Sequence, residues 1–326
     1  MNINNTKRGL VFAAGVATLV TMFAAPLMVA AQTSSTAVDV SITPLIREVS
    51  TKPGDTFTGS IEVKNESAAK QTFFPIARDF TSSEDASTGA PKFQETAGTP
   101  AQSVSSWTTF SKASVDIDSK GSATIDYTVK VPESAEPGGH YSGIFASTQA
   151  PTVTNGSGVA VAARVGSLLL VTVAGDIRTS AEVLTFKSDK SIYQSGPIDF
   201  SASLKNSGNI HFKPKGTIDI KSGNVVKSIN FNENGGNVLP NSIRDYNEQL
   251  NGTFSFGRYT ATLTATAQAP NGDSIPLTSV TSFWVIPWST VFIALLILIV
   301  LIMILKGGMK GNKSNAYSSA VSKEKK

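Results

Sequence analysis

The chain has 326 residues, with 28 Lys+Arg against 24 Asp+Glu, a formal net charge of +4 and no cysteine. The basic excess sits at the ends, in Lys7 and Arg8 and in Lys306, Lys310, Lys313, Lys323, Lys325 and Lys326, so the stretch between them is slightly acidic and carries no electrostatic footprint for nucleic acid. Without cysteine there is no disulfide, thiol nucleophile or thiolate metal site, and the fold must be held by its cores alone.

At the start, Lys7 and Arg8 precede an apolar run from Gly9 to Val29, and small residues lead to Ala31 and Gln32. This pattern predicts a secretory signal peptide over 1–31, cut between Ala31 and Gln32.

Between residues 37 and 285 the apolar period is two rather than 3.6. Phe57, Gly59, Ile61 and Val63 alternate with polar residues, as do Ala123, Ile125, Tyr127 and Val129, and later Tyr259, Ala261, Leu263 and Ala265. Segments rich in Val, Ile, Thr, Tyr and Phe, broken by Gly, Pro, Asn and Asp, read as half-buried antiparallel strands. A first domain is expected over 32–175, with strands near 38–43, 56–64, 71–79, 113–118, 122–130, 140–149 and 158–173. Lys52-Pro53-Gly54-Asp55 makes a turn before its second strand, and the polar stretch 81–103 reads as a long surface loop.

The run 158–175 is apolar enough to suggest a membrane helix, but Arg164, Gly166 and Ser167 interrupt it. A strand buried on both faces fits it better. A second domain follows over 176–283 without a linker, with strands near 178–187, 197–205, 212–221, 225–231, 243–250, 256–268 and 275–284. The absence of a linker predicts a fairly stiff pair.

The segment 284–305 is then read as a transmembrane helix. At about 1.5 Å per residue, the stretch from Ile286 to Leu305 spans roughly 30 Å, the hydrocarbon thickness of a bilayer. Lys306, Lys310 and Lys313 begin a basic tail over 306–326, which the positive-inside rule assigns to the cytoplasm. Trp284 and Trp288 flank the span as an interfacial belt. The expected fold is therefore all-β: two tandem immunoglobulin-like β-sandwich domains plus one C-terminal transmembrane helix. It is anchored in the cell membrane as a single-pass protein, with the sandwiches extracellular and facing the wall.

Catalytic parts are missing from the pattern. His140 and His211 lie far apart in sequence, and neither has a metal ligand beside it. No Gly-x-Ser-x-Gly elbow, P-loop or His-x-x-x-His helix is present. The carboxylates Glu84 and Asp85 fall in the polar loop, and Asp116 and Asp118 alternate with Val115 and Ile117 as the solvent side of a strand. Asn155-Gly-Ser and Asn251-Gly-Thr read as turns before they read as glycan acceptors. Trp107, Phe110, Phe254 and Phe256 offer a sugar platform on paper, although Trp107 reads first as a core residue. No enzyme, cofactor or metal is expected.

Several phrases in order carry a resemblance. They are STKPGDTFTGSIEVKNES at 50–67, VPESAEPGGHYSGIFAS at 131–147, ARVGSLLLVTVAGDI at 163–177, LKNSGNIHFKPKGTIDI at 204–220, VLPNSIRDY at 238–246 and FGRYTATL at 256–263. Together with the topology they resemble the DUF916-type, WxL-interacting surface proteins of Gram-positive bacteria. The resemblance implies that the first domain associates with peptidoglycan or another wall glycan, and that the second engages WxL-domain or other surface proteins. The sequence reading is a non-enzymatic surface scaffold or adhesion protein. The alternative is an immunoglobulin-like export chaperone or assembly factor that caps a partner's sheet edge.

Overall fold

The computed structural model describes residues 39–95, 97–149 and 164–321, with side-chain surroundings described as far as Lys306. The expected signal peptide over 1–31 with its Ala31/Gln32 cleavage site, Asn155 and the expected strand portion 158–163 lie outside these residues.

Two β-sandwiches follow each other along the chain, each built around its own apolar core. In the first, one sheet orders its strands β1 (Val40–Thr43), β3 (Thr56–Asn65), β8 (Ser122–Lys130) and β6 (Thr108–Phe110). The facing sheet runs β2 (Ile46–Thr51), β10 (Arg164–Val173), β9 (Gly138–Ser147), β4 (Gln71–Ser82) and β5 (Pro91–Phe93), with β7 (Val115–Ile117) also paired to β4. The opening segment belongs to both sheets: β1 runs antiparallel to β3, while β2 runs parallel to β10. Pro44 lies at the crossing, where its missing N–H interrupts the ladder.

The second sandwich repeats this plan. One sheet orders β11 (Ala181–Ser188), β13 (Ile198–Asn206) and β16 (Ser242–Leu250); the other orders β12 (Ile192–Tyr193), β18 (Ser274–Val285), β17 (Gly257–Gln268), β14 (Lys213–Ser222) and β15 (Val225–Phe231). Again the first segment splits, with β11 antiparallel to β13 and β12 parallel to β18. This shared strand switch makes both modules immunoglobulin-like.

The period-two residues supply the cores. Ile61, Val63, Ile125 and Val129 meet Phe73, Ile144, Leu169 and Val171 in the first sandwich. Phe200, Leu204, Ile218, Leu263 and Phe283 pack in the second. An asparagine latch also repeats. Asn65 ends β3 fully buried, donating to the Ala69 and Ile117 carbonyls at 2.8 and 3.1 Å and accepting from the Ser67 amide at 3.1 Å. Asn206 ends β13 in the same way, with the Ile210 and Val238 carbonyls at 2.8 and 2.9 Å and the Gly208 amide at 2.9 Å. Each side chain stands in for strand pairing where the ladder stops, so buried backbone groups keep partners.

Three expectations need correction. The stretch 81–103 is not a free loop: β4 continues to Ser82, β5 pairs with it, and a one-turn helix α1 (Val104–Trp107) follows. Phe80 and Phe93 hold this arm edge to face, with ring centroids 5.5 Å apart, an anchor hidden among polar neighbours. Short strands β2, β6 and β12 were also absent from the sequence pattern.

The C-terminal helix α2 (Trp288–Val321) begins later than 284 or Ile286. Trp284 and Val285 finish β18, and the Ile286 amide still donates to the Tyr193 carbonyl at 2.7 Å. Pro287 then accepts the first helical bond, from Thr290 at 2.9 Å. Nor does the helix stop at Leu305. Its backbone passes Lys306, Lys310 and Lys313 as far as Val321, because glycine pairs weaken a helix but this stretch holds no proline to break it. Within it, Trp288–Lys306 is the one segment among the described residues long and apolar enough to cross a membrane.

Candidate functional site

Two places in the first sandwich carry unusual chemistry: the edge of β10 and the junction with the second sandwich.

Strand β10 pairs with β9 along its full length, from Arg164 opposite Ser147 to Val173 opposite Gly138. On its other edge, β2 covers only Leu168–Val173, starting where the Leu168 amide donates to the Leu45 carbonyl at 2.8 Å. Backbone groups alternate sides along a strand, so the N–H and C=O of Gly166 and Arg164 point the same way as those of Leu168. Among the described residues no strand pairs them there. Among the described residues the first part of β10, Arg164–Ser167, is thus an open edge, at the end remote from the second sandwich.

The open edge has an apolar inner side and an aromatic outer side. Val165 packs against the first core, and Phe145 lies across Gly166 so closely that a Cβ there would meet its ring at 2.5 Å. Phe93 stands edge-on to Phe145 at 4.9 Å, and the Arg164 guanidinium lies 5.9 Å from the Phe145 centroid.

The junction forms because the Pro137-Gly138-Gly139 turn lets another backbone approach. Gly138 adopts φ 131°, and a Cβ there would sit 2.8 Å from the Asn209 carbonyl. That same carbonyl accepts from the Gly139 amide at 2.8 Å. Asn209 reaches back with its side chain to the Asp176 carbonyl at 2.8 Å and accepts from the Arg178 amide at 2.7 Å. Behind it, Phe80, Tyr141 and Leu170 form a small third core with Leu168, Phe93 and Leu239. The β4–β5 arm adds a strap, since Ala86 accepts from the Asp245 amide at 2.9 Å.

Tyr141 is the polar centre of this junction. Its hydroxyl accepts from the His211 amide at 3.0 Å and faces the ring Nδ1 of His211 at 3.2 Å. Burial pushes the Tyr141 hydroxyl pKa upward, so it stays protonated and can donate to Nδ1. The second ring nitrogen, Nε2, has no hydrogen-bond partner and lies 3.9 Å from Glu48 of β2. His211 lowers the Glu48 carboxyl from its ordinary 4.5 to about 2, with help from Lys213 at 3.5 Å and against the opposing push of burial.

Beside this cluster a cavity of about 390 Å³ opens between the sandwiches, lined by Phe80, Tyr141, Gln94, Gln102, Asn209 and Asn241 among others. Asp79 on its wall is already committed. It accepts from the Ser103 and Ser105 hydroxyls at 2.5 and 2.8 Å and from the Ser105 amide at 2.8 Å, fixing the start of α1.

The residues singled out from sequence are scattered. His140 is buried beside Trp107, its two ring nitrogens facing the Gln102 and Glu136 carbonyls at 3.0 and 2.7 Å. His211 lies with Tyr141 instead. Among the described residues no three His, Asp or Glu side chains come together as a metal site. Trp107 is core, Phe110 and Phe254 are half-buried, and only Phe256 is well exposed, so the four make no shared platform. Asp116 is exposed and bonded to Thr72 at 2.7 Å. Sequence reasoning missed Tyr141, Glu48 and the β10 edge; the available signal was the Pro-Gly-Gly-x-Tyr spacing, read only as a strand start.

No protein-family model matches the chain, and no curated protein matches it. Solved structures give distant likenesses. The class 5 fimbriae chaperone CfaA is 11% identical with a TM-score of 0.38, covering 74% of this chain and 99% of its own. The CsuC–CsuE chaperone–tip adhesion subunit complex of Acinetobacter baumannii gives 10% and 0.37, covering 74% and 98%. The E. coli chaperone DraB gives 11% and 0.35, covering 74% and 96%. At these scores the fold stands on its own strand pairing.

Proposed function

We propose that the chain is a non-enzymatic surface protein, held in the cell membrane by α2 with both sandwiches outside, that receives an extended strand of a protein partner on the open edge of β10. The observation that carries this reading is the incomplete cover of β10 by β2, which leaves this edge at Arg164 and Gly166 without a partner strand among the described residues. Such an edge offers main-chain hydrogen bonds to an added strand, with flanking side chains giving selectivity. Val165 on one side and the Phe145–Arg164 pair on the other supply those flanks.

Between scaffold and assembly factor, the edge favours the assembly factor, because an unpaired strand in an incomplete partner is what an open edge completes. The resemblance to WxL-interacting proteins supplies a WxL-domain surface protein as the first partner to try. The test is co-purification from solubilised envelopes of wild type and Arg164→Pro. Proline at 164 removes an outward-facing N–H and leaves the ladder to β9 intact. Loss of a co-purifying surface protein in the variant supports the reading; unchanged recovery overturns it.

A second reading, retention of a wall glycan, draws on the junction cavity, whose amides offer hydrogen bonds to sugar hydroxyls. Binding of purified peptidoglycan that falls on Asn241→Ala would support it.

A further inference from the structure

The lower end of the second sandwich carries exposed apolar side chains that neither core explains. Ile192, Val226, Phe256 and Trp284 are 51, 60, 64 and 43% exposed, and Val225 beside them is 46% exposed. Strand pairing gathers them at one end. Ile192 sits opposite Trp284, Trp284 opposite Arg258, and Val226 opposite Lys221 at the tip of the β14–β15 hairpin. The Phe256 and Trp284 rings are 6.3 Å apart. Interleaved cations stand among them: Lys190 and Lys221 are exposed, Arg258 lies next to Trp284, and Lys227 spans the Phe254 ring at 4.2 Å. The acids at this end are Asp189, paired with Lys190 and Tyr193, and Asp199, bonded to Gln249.

The chain itself says what faces this end. Strand β18 finishes at Val285 and α2 starts at Trp288. Three residues of chain reach about 10 Å at most, while the polar headgroup layer on each side of a bilayer is roughly 5–8 Å thick. If Trp288 lies at the interface, Trp284 and its neighbours have no room to stand clear of the lipid. Aromatic rings with interspersed lysine and arginine are the side chains that settle at headgroup depth.

We propose that this end of the second sandwich is a bilayer-docking surface, with Val226, Phe256 and Trp284 entering the interface and the surrounding cations meeting anionic headgroups. The sandwich therefore stands on the membrane rather than swinging from it. The proposal rests on the reading of Trp288–Lys306 as a span.

The absence of cysteine makes the test clean. Single-cysteine variants of the full chain, Val226→Cys, Phe256→Cys and, as a control on the same sheet away from the tip, Thr264→Cys, are labelled with an environment-sensitive dye and reconstituted into vesicles of phosphatidylglycerol and phosphatidylcholine. Flotation of the labelled chain with vesicles after alkaline carbonate washing first establishes the span; extraction by carbonate would refute the span itself and the docking with it. For protein that floats, strong quenching at 226 and 256 by shallow brominated lipids, with none at 264, is the expected result. Equal and negligible quenching at all three positions in floating protein overturns the docking surface while leaving the span standing. A weaker signal at 226 and 256 in pure phosphatidylcholine is expected from the cations; no dependence on headgroup charge overturns their part in it.

Discussion

The hydroxyl of Tyr141, in the first sandwich, bridges the backbone amide and the ring Nδ1 of His211, in the second, at 3.0 and 3.2 Å. One side chain thereby satisfies two buried polar groups of the other module, next to a small apolar core of Phe80, Leu170 and Leu239. The two sandwiches are joined by packing as well as by chain, and the far end of β10, which β2 does not cover, belongs to the same strand that builds this joint.

Removing that hydroxyl leaves the His211 amide and Nδ1 buried without partners. Each unsatisfied group costs about 1–3 kcal/mol. Tyr141→Phe is expected to lower stability by about that much in denaturant titration of the full chain in nanodiscs, and to raise hydrogen exchange at Asn209–Phe212 before that of either core. An unchanged midpoint would remove Tyr141 from the joint.

The sign of the pH response follows from Glu48. Its folded-state value of about 2 lies below the ordinary 4.5, so the folded protein binds that proton less readily than the unfolded chain. The resulting stabilisation is complete above about pH 4.5, falls as the pH drops from 4.5 towards 2, and is gone below that range. Because the carboxyl is partly exposed and screened, the effect is modest. Glu48→Gln is expected to flatten this limb of a stability-against-pH curve while leaving the neutral limb parallel to wild type. Coincident acid limbs would contradict the assignment.

The repeated asparagine latches should matter equally in both modules. Asn206→Ala takes its bonds from the Ile210 carbonyl, the Gly208 amide and the Val238 carbonyl, which keeps the Phe212 amide, and Asn65→Ala does the same around Ile117 and around Ala69, which keeps the Ser67 hydroxyl. Each is expected to cost about 2–4 kcal/mol, more than a lone surface bond, since several buried groups lose bonds together. Thermal unfolding of the two variants checks it. A loss within the scatter of surface substitutions would show water replacing the side chain.

Gly166 gives a packing prediction. A methyl there meets the Phe145 ring, so Gly166→Ala is expected to destabilise by about 1–3 kcal/mol. Phe145→Leu added to it should recover part of the loss, a coupling that a double-mutant cycle measures. Additive losses would place the ring elsewhere.

Strand positions were legible because a period of two with β-branched and aromatic residues is a local signal: β3, β8, β15 and β17 fall within a residue or so of the sequence expectation. Strands β2, β6 and β12 were not. They are only 6, 3 and 2 residues long and exist because a neighbour supplies the other half of the ladder, a non-local cause. The arm at 81–103 hid for a related reason, since Phe80 and Phe93 find each other across many polar residues. Apolarity located the helix long enough to cross a membrane, but its start was set by the Ile286–Tyr193 bond and Pro287, which composition does not register. The open edge could not be read at all. It depends on how far β2 extends along β10, and that extent is set by where the opening strand crosses between sheets.

The most direct test of the central claim places a photo-activated cross-linking residue at Arg164 in the full chain within its own cell envelope, with a second at Thr264 as control. The account predicts a covalent adduct with an exported protein at 164, absent at 264 and lost when excess partner strand is supplied as peptide. Adducts to wall glycan alone, or the same protein captured at both positions, would contradict strand capture on β10.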